Sequence, residues 1–356
     1  MTSHHMTHQT HDEGGSDLQA HKLMSRCAVI GGGSWGTALA DVLAQNGEVT
    51  LWTRDPLVVD SINDHHYNAR YQSACELHPR VKATLSFQEA LRGAELVLLV
   101  VPTHVMREVV RSLSHLIEPQ ALIVCASKGI ENESLYTMEE VLQELLPSRR
   151  EQLAFLSGPS FAKETLERQA TAVTIAARDV KVAQAAQARF NTSYFRVYTT
   201  DDVTGVELGG ALKNVIAIAA GVADGLGLGH NSRAALITRG VAEISRLAMA
   251  MGAHPLTLSG LSGVGDLILT CTGGLSRNRH VGVELGKGRQ LEEILAEMGQ
   301  VAEGVKTSWS AFMLSQREVV EMPITAEVYA MLYEQTSPRA VLQDLMGRDP
   351  KRERDA

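Results

Sequence analysis

The sequence predicts an α/β domain followed by an all-helical domain, and three observations carry that expectation. From Ser25 to about Thr200, short β-rich runs alternate with helical stretches. After about Val203 the strand signal stops, and only helical patterns broken by glycine-rich turns follow. At 356 residues the chain is longer than one hydrophobic core usually serves, which makes two domains the default.

In the first half, RCAVI, GEVTLWT, ELVLLVV, ALIVCAS, LAFLSG, TAVTIAA and FRVYTT read as strands, mostly apolar throughout. Fully apolar strands separated by helices signal a parallel sheet covered on both faces. Between two of them, THVMREVVRSLSHLI spaces its apolar residues as a helix does. In the second half, VELGGALKNVIAIAAGVADGL, AALITRGVAEISRLAMAMG, LEEILAEMG and ITAEVYAMLYEQ read as helices. The domain limits are 24–203 for the sheet domain and 204–346 for the helical one. Residues 1–23 are polar and carry His4, His5, His8, His11 and His21; they are expected to be a disordered leader. Residues 347–356, GRDPKRERDA, form a charged tail, and neither end enters the predicted fold.

Composition narrows the function. Hydrophobic residues make up 44% and charged ones 21%, ordinary for a soluble globular protein. Apolar runs such as LVLLVVP (Leu96–Pro102) fall far short of the ~20 residues that span a bilayer. No charged-then-apolar signal opens the chain, so no integral membrane segment and a cytoplasmic location are expected. A formal charge of −8 argues against nucleic acid, and an anionic small molecule would need a locally positive site. Cys27, Cys75, Cys125 and Cys271 are scattered without C-x-x-C spacing, which argues against a disulfide framework and a structural metal.

The first strand runs into VIGGGSWGTALA, which holds Gly31-x-Gly33-x-x-Gly36 and opens a helix. That is the setting of a dinucleotide-binding turn. Gly31 permits the tight turn, Gly33 lets the backbone approach a diphosphate, and Gly36 allows close packing. Ser34 and Trp35 sit where backbone N–H groups meet phosphate at the positive end of the helix dipole; the ring of Trp35 could equally belong to the core. The first domain is therefore Rossmann-type. At the end of the second strand, LWTRDP offers both Arg54, which suits the 2′-phosphate of NADP, and Asp55, which suits the ribose of NAD. Dual use with a lean to NADPH is expected.

Three strand ends can carry chemistry, because ligands bind outside the carboxyl ends of an open parallel sheet. VVPTH follows a buried strand, and its Pro102 is consistent with a turn beside the nicotinamide. ASKGI places Lys128 just past its strand, and SGPSFAKE places Gly158, Ser160 and Ala162 where a strand turns into a helix. Lys128 alone is more often a solvent lysine, and His104 is a surface or packing residue rather than a general base. In the helical domain, Asp266 and Thr270 lie four apart and share a helix face. Ser276-Arg277-Asn278-Arg279 follows a glycine turn; a guanidinium beside amide and hydroxyl donors suits a phosphate dianion, and equally suits a polar surface loop.

ELGGALKNVIAIAAG raises the sharpest question. Lys213 and Asn214 stand in the middle of small apolar residues, where an unpaired ammonium is costly. Either the amine snorkels to water or the protein uses it.

These motifs, with RAALITRGVAEISRL, GVGDLILTCT, SRNR and GQVAEGVKT, resemble the bacterial NAD(P)-dependent glycerol-3-phosphate dehydrogenases, in order from about Ser25 to Gly347. The resemblance implies interconversion of dihydroxyacetone phosphate and sn-glycerol 3-phosphate for glycerophospholipid synthesis, and a homodimer. It implies cofactor contacts from Ser34, Trp35, Arg54, Ala162, Val301 and Glu303. Lys128 and Arg277 would touch both cofactor and substrate, with Gly158, Ser160, Asp266, Ser276 and Asn278 lining the substrate site. Lys213 would be the catalytic acid/base. Lys128 would lower the pKa of Lys213, while Asp266 and Asn214 would orient the amine; the charge of Asp266 would pull the other way. Gly32 stands where the family more often has Ala and is expected only to loosen the turn. Two other readings share parts of this pattern: a sugar-acid or 3-hydroxyacid dehydrogenase, and a nicotinamide-sensing binding module. The SRNR loop argues against the first, and the set of Lys213, Lys128 and Asp266 against the second.

Overall fold

The computed structural model describes residues 25–298, 302–350 and 352–353. The leader predicted for 1–23, and Val301, lie outside the described residues.

Eight strands form one sheet: β1 (Ser25–Ile30), β2 (Gly47–Trp52), β3 (Val81–Thr84), β4 (Leu96–Leu99), β5 (Leu122–Cys125), β6 (Leu153–Ser157), β7 (Thr171–Ala176) and β8 (Phe195–Thr200). Seven helices connect them in turn: α1 (Ser34–Ala44), α2 (Pro56–His65), α3 (Phe87–Leu91), α4 (Thr103–Leu113), α5 (Met138–Leu145), α6 (Ala162–Leu166) and α7 (Val180–Phe190). The spatial order β3-β2-β1-β4-β5-β6-β7-β8 reverses direction between β1 and β4. A crevice for a ligand opens at such a switch point.

Two features depart from the sequence reading. The edge strand β3 (VKAT) was not expected; it is four residues long and carries an exposed Lys82, so it has no apolar run to betray it. The sheet is not wholly parallel either. β7 pairs antiparallel with β6, Ser157 facing Thr174. The connection between them holds only the five-residue α6, too short to carry the chain back along the sheet for a parallel crossover.

Alternate residues of the central strands feed opposite faces. Val29, Leu96, Leu98 and Leu156 belong to one apolar cluster, and Ile30, Val97, Leu99 and Phe155 to the other. This double-sided burial explains the continuous apolar strands.

The helical part comprises α8 (Val203–Gly225), α9 (His230–Ala250), α10 (Pro255–Ser259), α11 (Asp266–Thr272), α12 (Arg277–Gly286), α13 (Leu291–Met298), α14 (Glu303–Arg317), α15 (Pro323–Tyr333) and α16 (Pro338–Gly347). Asp202 caps α8 by accepting from Gly205 N–H at 2.9 Å. α8 is buried nearly all round and is the central helix of a third core. Among the described helices it alone is long and apolar enough to cross a membrane, with mean hydropathy 1.5, yet 94% of that window is buried inside the protein. Counting apolar runs missed it because Lys213 and Asn214 interrupt the run. α12 lies against α8 with glycine meeting glycine: a Cβ on Gly282 would stand 2.0 Å from Ile218 O, and one on Gly221 2.1 Å from Arg279 O. That close crossing brings the SRNR segment to the flank of α8.

Candidate active site

The site is built where strand ends of the sheet meet α8 and α11. A single turn of π-helix, Leu261–Gly265, delivers Asp266 to the start of α11. Asp266 is 1% exposed and sits between two lysines. The Nζ of Lys213, from the middle of α8, donates to Asp266 Oδ1 and, at 2.9 Å, to Thr270 Oγ1. The Nζ of Lys128, from the loop after β5, donates to Asp266 Oδ2 at 2.7 Å and to Gly158 O at 3.0 Å. The Thr270 hydroxyl donates to Asp266 O at 2.6 Å, which leaves its oxygen free to accept. An ammonium has three donors, so each amine has engaged two and keeps one.

Burial decides the charge balance. It pulls the Lys213 amine down to about 8; the charge of Asp266 pulls it back up, and Lys128 pushes it down again. The competition left open by the sequence is thus won by desolvation. Asn214 does not serve the amine as expected. Its Oδ1 accepts from Asn278 Nδ2 at 2.8 Å, and Asn278 Oδ1 accepts from Gly304 N–H at 2.9 Å. Asn214 and Asn278 therefore tie α8, α12 and α14 together beside Lys213, and Thr270 is the amine's second partner.

Gly158 has φ +138 and room only for hydrogen, since a Cβ would lie 2.9 Å from Val173 Cα. Its carbonyl receives both Lys128 and, at 3.0 Å, Ser160 Oγ. Ala162 opens α6 next to this turn. Ser276 caps α12 by accepting from Arg279 N–H at 3.2 Å. Arg277, on the first turn of that helix, has Glu303 and Tyr71 in its electrostatic surroundings; partial loss of water around its head holds the guanidinium below its ordinary range. The helix N-terminus and Arg277 together favour an anion. Arg279 is spent elsewhere, gripping Asp224 through Nε at 2.9 Å and Nη2 at 2.7 Å.

At the switch point, Gly31 has φ +129, and a Cβ there would lie 2.6 Å from Val100 O at the end of β4. A Cβ on Gly36 would lie 1.9 Å from Gly31 O. Nothing stands within 4 Å of a Cβ on Gly33, so that face is open. No side chain caps α1, which leaves its first N–H groups for a diphosphate and fits the cofactor the turn predicts. Ser34 begins that helix, and the Trp35 ring packs on the sheet-domain core. Gly32 is not a loosened alanine position: a Cβ there would meet Thr53 Cβ at 2.7 Å, so this glycine makes room for Thr53.

Sequence reasoning missed Asn68, which is 0% exposed. It donates to Gly32 O at 3.0 Å and Thr37 Oγ1 at 2.8 Å, and accepts from the backbone N–H of Arg70 and Tyr71, both at 3.2 Å. It clamps the glycine turn to the Arg70–Tyr71 segment, and no local pattern announces it. Asp55 caps α2 through Leu57 N–H at 3.1 Å and pairs with Arg70 at 2.6 Å, which holds its carboxyl below the usual range. Arg54 beside it is exposed. On the other side of the crevice, Glu303 at the start of α14 accepts from Thr103 Oγ1 at 3.1 Å, and burial pushes its carboxyl up. His104 is exposed.

Comparison with known proteins places this arrangement. Models of the N- and C-terminal domains of NAD-dependent glycerol-3-phosphate dehydrogenase match residues 26–183 and 202–343. Glycerol-3-phosphate dehydrogenase (NAD(P)+) of Myxococcus xanthus is 57% identical over 330 residues, 92% of this chain and 98% of that protein. Its namesake in Geobacter sulfurreducens is 51% identical over 93% of this chain and 100% of that protein. The crystal structure of glycerol-3-phosphate dehydrogenase from Coxiella burnetii superposes with a TM-score of 0.87 at 38% identity, covering 92% of this chain and all of that one (100%). A glycine-rich turn at the sheet's switch point, a lysine pair on one buried aspartate, and identity along nearly the whole chain agree: this chain belongs to the NAD(P)-dependent glycerol-3-phosphate dehydrogenase family.

Proposed function

We propose that this chain reduces dihydroxyacetone phosphate to sn-glycerol 3-phosphate with NADH or NADPH, reversibly, and so supplies glycerophospholipid synthesis. The observation that carries the reading is the Lys213–Asp266–Lys128 cluster, in which the buried Lys213 amine and the half-buried Lys128 amine each keep one N–H beyond the bonds they make among the described residues. The nicotinamide, when bound, supplies the hydride. Negative charge then grows on the C2 oxygen, and Lys213 gives that oxygen a proton, to be replaced from solvent. In the reverse direction its neutral amine takes the hydroxyl proton. Lys128 polarises the carbonyl, and Asp266 with Thr270 fixes the direction of the Lys213 amine. Arg277, Ser276 and Asn278 hold the phosphate away from the reacting carbon, with Gly158 and Ser160 shaping the floor between them. Remote anchoring of this kind converts binding energy into orientation at C2.

The cofactor lies along Gly31, Gly33, Ser34, Trp35 and Gly36, with Ala162, Val301 and Glu303 contributing further contacts. A preference for NADPH is supported by Asp55, whose carboxylate is already committed to the α2 cap and Arg70, leaving Arg54 exposed beside it. A cytoplasmic homodimer, with the sheet domain at 24–203 and the substrate domain at 204–346, rests on the family resemblance and the sequence pattern. The test is the purified protein with dihydroxyacetone phosphate, following nicotinamide absorbance with NADH and NADPH in separate runs. Substrate-dependent oxidation, faster with NADPH, is expected. Cofactor binding without any oxidation would overturn the assignment.

A further inference from the structure

Lined in part by Lys128 is a small cavity of ≈ 10 Å³, room for the centre of one water molecule. Its lining includes Cys125 at the end of β5, Ser127 and Lys128 in the loop after it, Ser157 of β6, and Val206 and Glu207 of α8. Two of these lining residues carry a buried oxygen, Ser157 Oγ and Glu207 Oε2, with no hydrogen-bond partner among the described residues. Ser157 is only 3% exposed. The other oxygen of Glu207 accepts from Glu139 N–H at the start of α5, at 3.0 Å, which fixes the carboxyl in place. Leaving two such groups bare would cost about 1–3 kcal/mol each.

Buried polar oxygens on the residues around a space of this size are the usual setting of a structural water. The stem of Lys128 closes over the same spot. A Cβ on Gly210 of α8 would stand 2.4 Å from Ser157 Oγ and 3.6 Å from Lys128 Cδ, so hydroxyl and lysine stem meet on one bare stretch of helix. We propose that this cavity is a water site and that Glu207, acting through the water and Ser157, is a positioning residue for Lys128. The inference deepens the functional reading above and rests on it.

The electrostatics agree with a neutral site. Burial first, then the charge of Glu139, pushes the Glu207 carboxyl up to about 8, while the nearby Thr137 hydroxyl and then Glu139 N–H pull the other way. Glu139 is itself paired to Arg178 at 2.6 Å, and Glu140 adds a weaker repulsion. A protonated Glu207 can donate to the water and adds no charge beside the Lys128–Asp266–Lys213 cluster. Glutamine should therefore imitate it, and leucine should not.

The experiment is a double-mutant cycle on kcat/KM for dihydroxyacetone phosphate. Glu207→Leu is expected to lower kcat/KM about tenfold in the wild-type background, the scale of a small misplacement of a substrate-binding group. In a Lys128→Ala background the same change should have no further effect, because the residue it positions is gone. Glu207→Gln should restore activity to within about threefold of wild type, with an unchanged melting temperature. Wild-type activity in Glu207→Leu, or an equal loss in both backgrounds, would overturn the proposal. If Glu207→Leu does not fold, Ser157→Ala is put through the same cycle with the same criteria. High-resolution diffraction of the wild-type protein should show density bridging Ser157 Oγ and Glu207 Oε2, and an empty cavity would refute the water. A wild-type enzyme inert toward dihydroxyacetone phosphate would sink the functional reading instead, a result distinguishable from silent variants of an active enzyme.

Discussion

Replacing Asp266 by Asn removes the anion that touches both lysines, and the direction in which the Lys213 amine then moves is fixed by its surroundings. In the native protein burial holds that amine at about 8, with Asp266 opposing burial and Lys128 assisting it. At a pKa of about 8 the ammonium fraction is about 0.9 at pH 7 and about 0.1 at pH 9, so reduction should slow about tenfold over that interval. An amine near the ordinary value of 10.5 would lose almost nothing there. Hydrogen bonds to charged groups contribute about 1.5–3 kcal/mol, and each pKa unit is worth about 1.4 kcal/mol, so losing the carboxylate should move the break down by about one to two pH units. At neutral pH the amine of the variant would be largely unprotonated and poorly able to donate. The assay is reductive kcat at saturating dihydroxyacetone phosphate and NADPH from about pH 6 to 10, with melting curves to verify folding. A native profile flat to about pH 10, or a break at the same pH in Asp266→Asn, would refute the reasoning.

Three further predictions rest on other parts of the molecule. Arg277→Ala should raise KM for dihydroxyacetone phosphate and lower kcat, while leaving the slow reaction of unphosphorylated dihydroxyacetone nearly unchanged; equal losses on both substrates would deny it the phosphate. Gly32→Ala should destabilise the sheet domain by about 1–3 kcal/mol, an overpacking cost, because the new methyl meets the stiff Thr53 side chain. In a Thr53→Gly background, where the Cβ it meets is gone, the same change should cost much less in chemical denaturation, and an equal cost would place the clash elsewhere. Glu243, buried and accepting from Ile324 N–H at 2.7 Å, has its carboxyl pushed by burial from 4.5 up to about 7. The folded state therefore binds this proton more tightly than the unfolded chain, and its contribution to stability is present below about pH 4.5 and lost as pH rises through about 7. The melting temperature of Glu243→Gln should fall less steeply between about pH 5 and 7.5 than that of wild type; identical slopes would remove Glu243 from the account.

The larger part of this architecture was legible because burial writes itself into composition. Strands covered on both faces are apolar end to end, so β1, β4, β5 and β6 announced themselves, whereas the edge strand β3, with Lys82 outward, did not. Strand direction is not encoded in apolarity, which is why the antiparallel β7 passed for a parallel strand. The glycine turn was readable because steric demands at Gly31 and Gly36 leave one residue type. Gly32 was misjudged because the atom it avoids, on Thr53, lies on the next strand. The same holds for Asn68, whose partners are 31 and 36 residues away in sequence. Lys213 stood out as a charge in an apolar helix, but the identity of its second partner, Thr270 rather than Asn214, depends on how α11 faces α8. Helical spacing alone put Asp266 and Thr270 together; only the packing of two helices put them against the amine.

The central claim is that the Lys213 amine transfers the proton at C2. Its most direct test is Lys213→Met, which keeps the stem volume and leaves Asp266 paired with Lys128. Single-turnover reduction of dihydroxyacetone phosphate should fall by roughly 10²–10⁴, with NADPH affinity and melting temperature close to wild type. Reduction at the native rate in that variant would contradict the account.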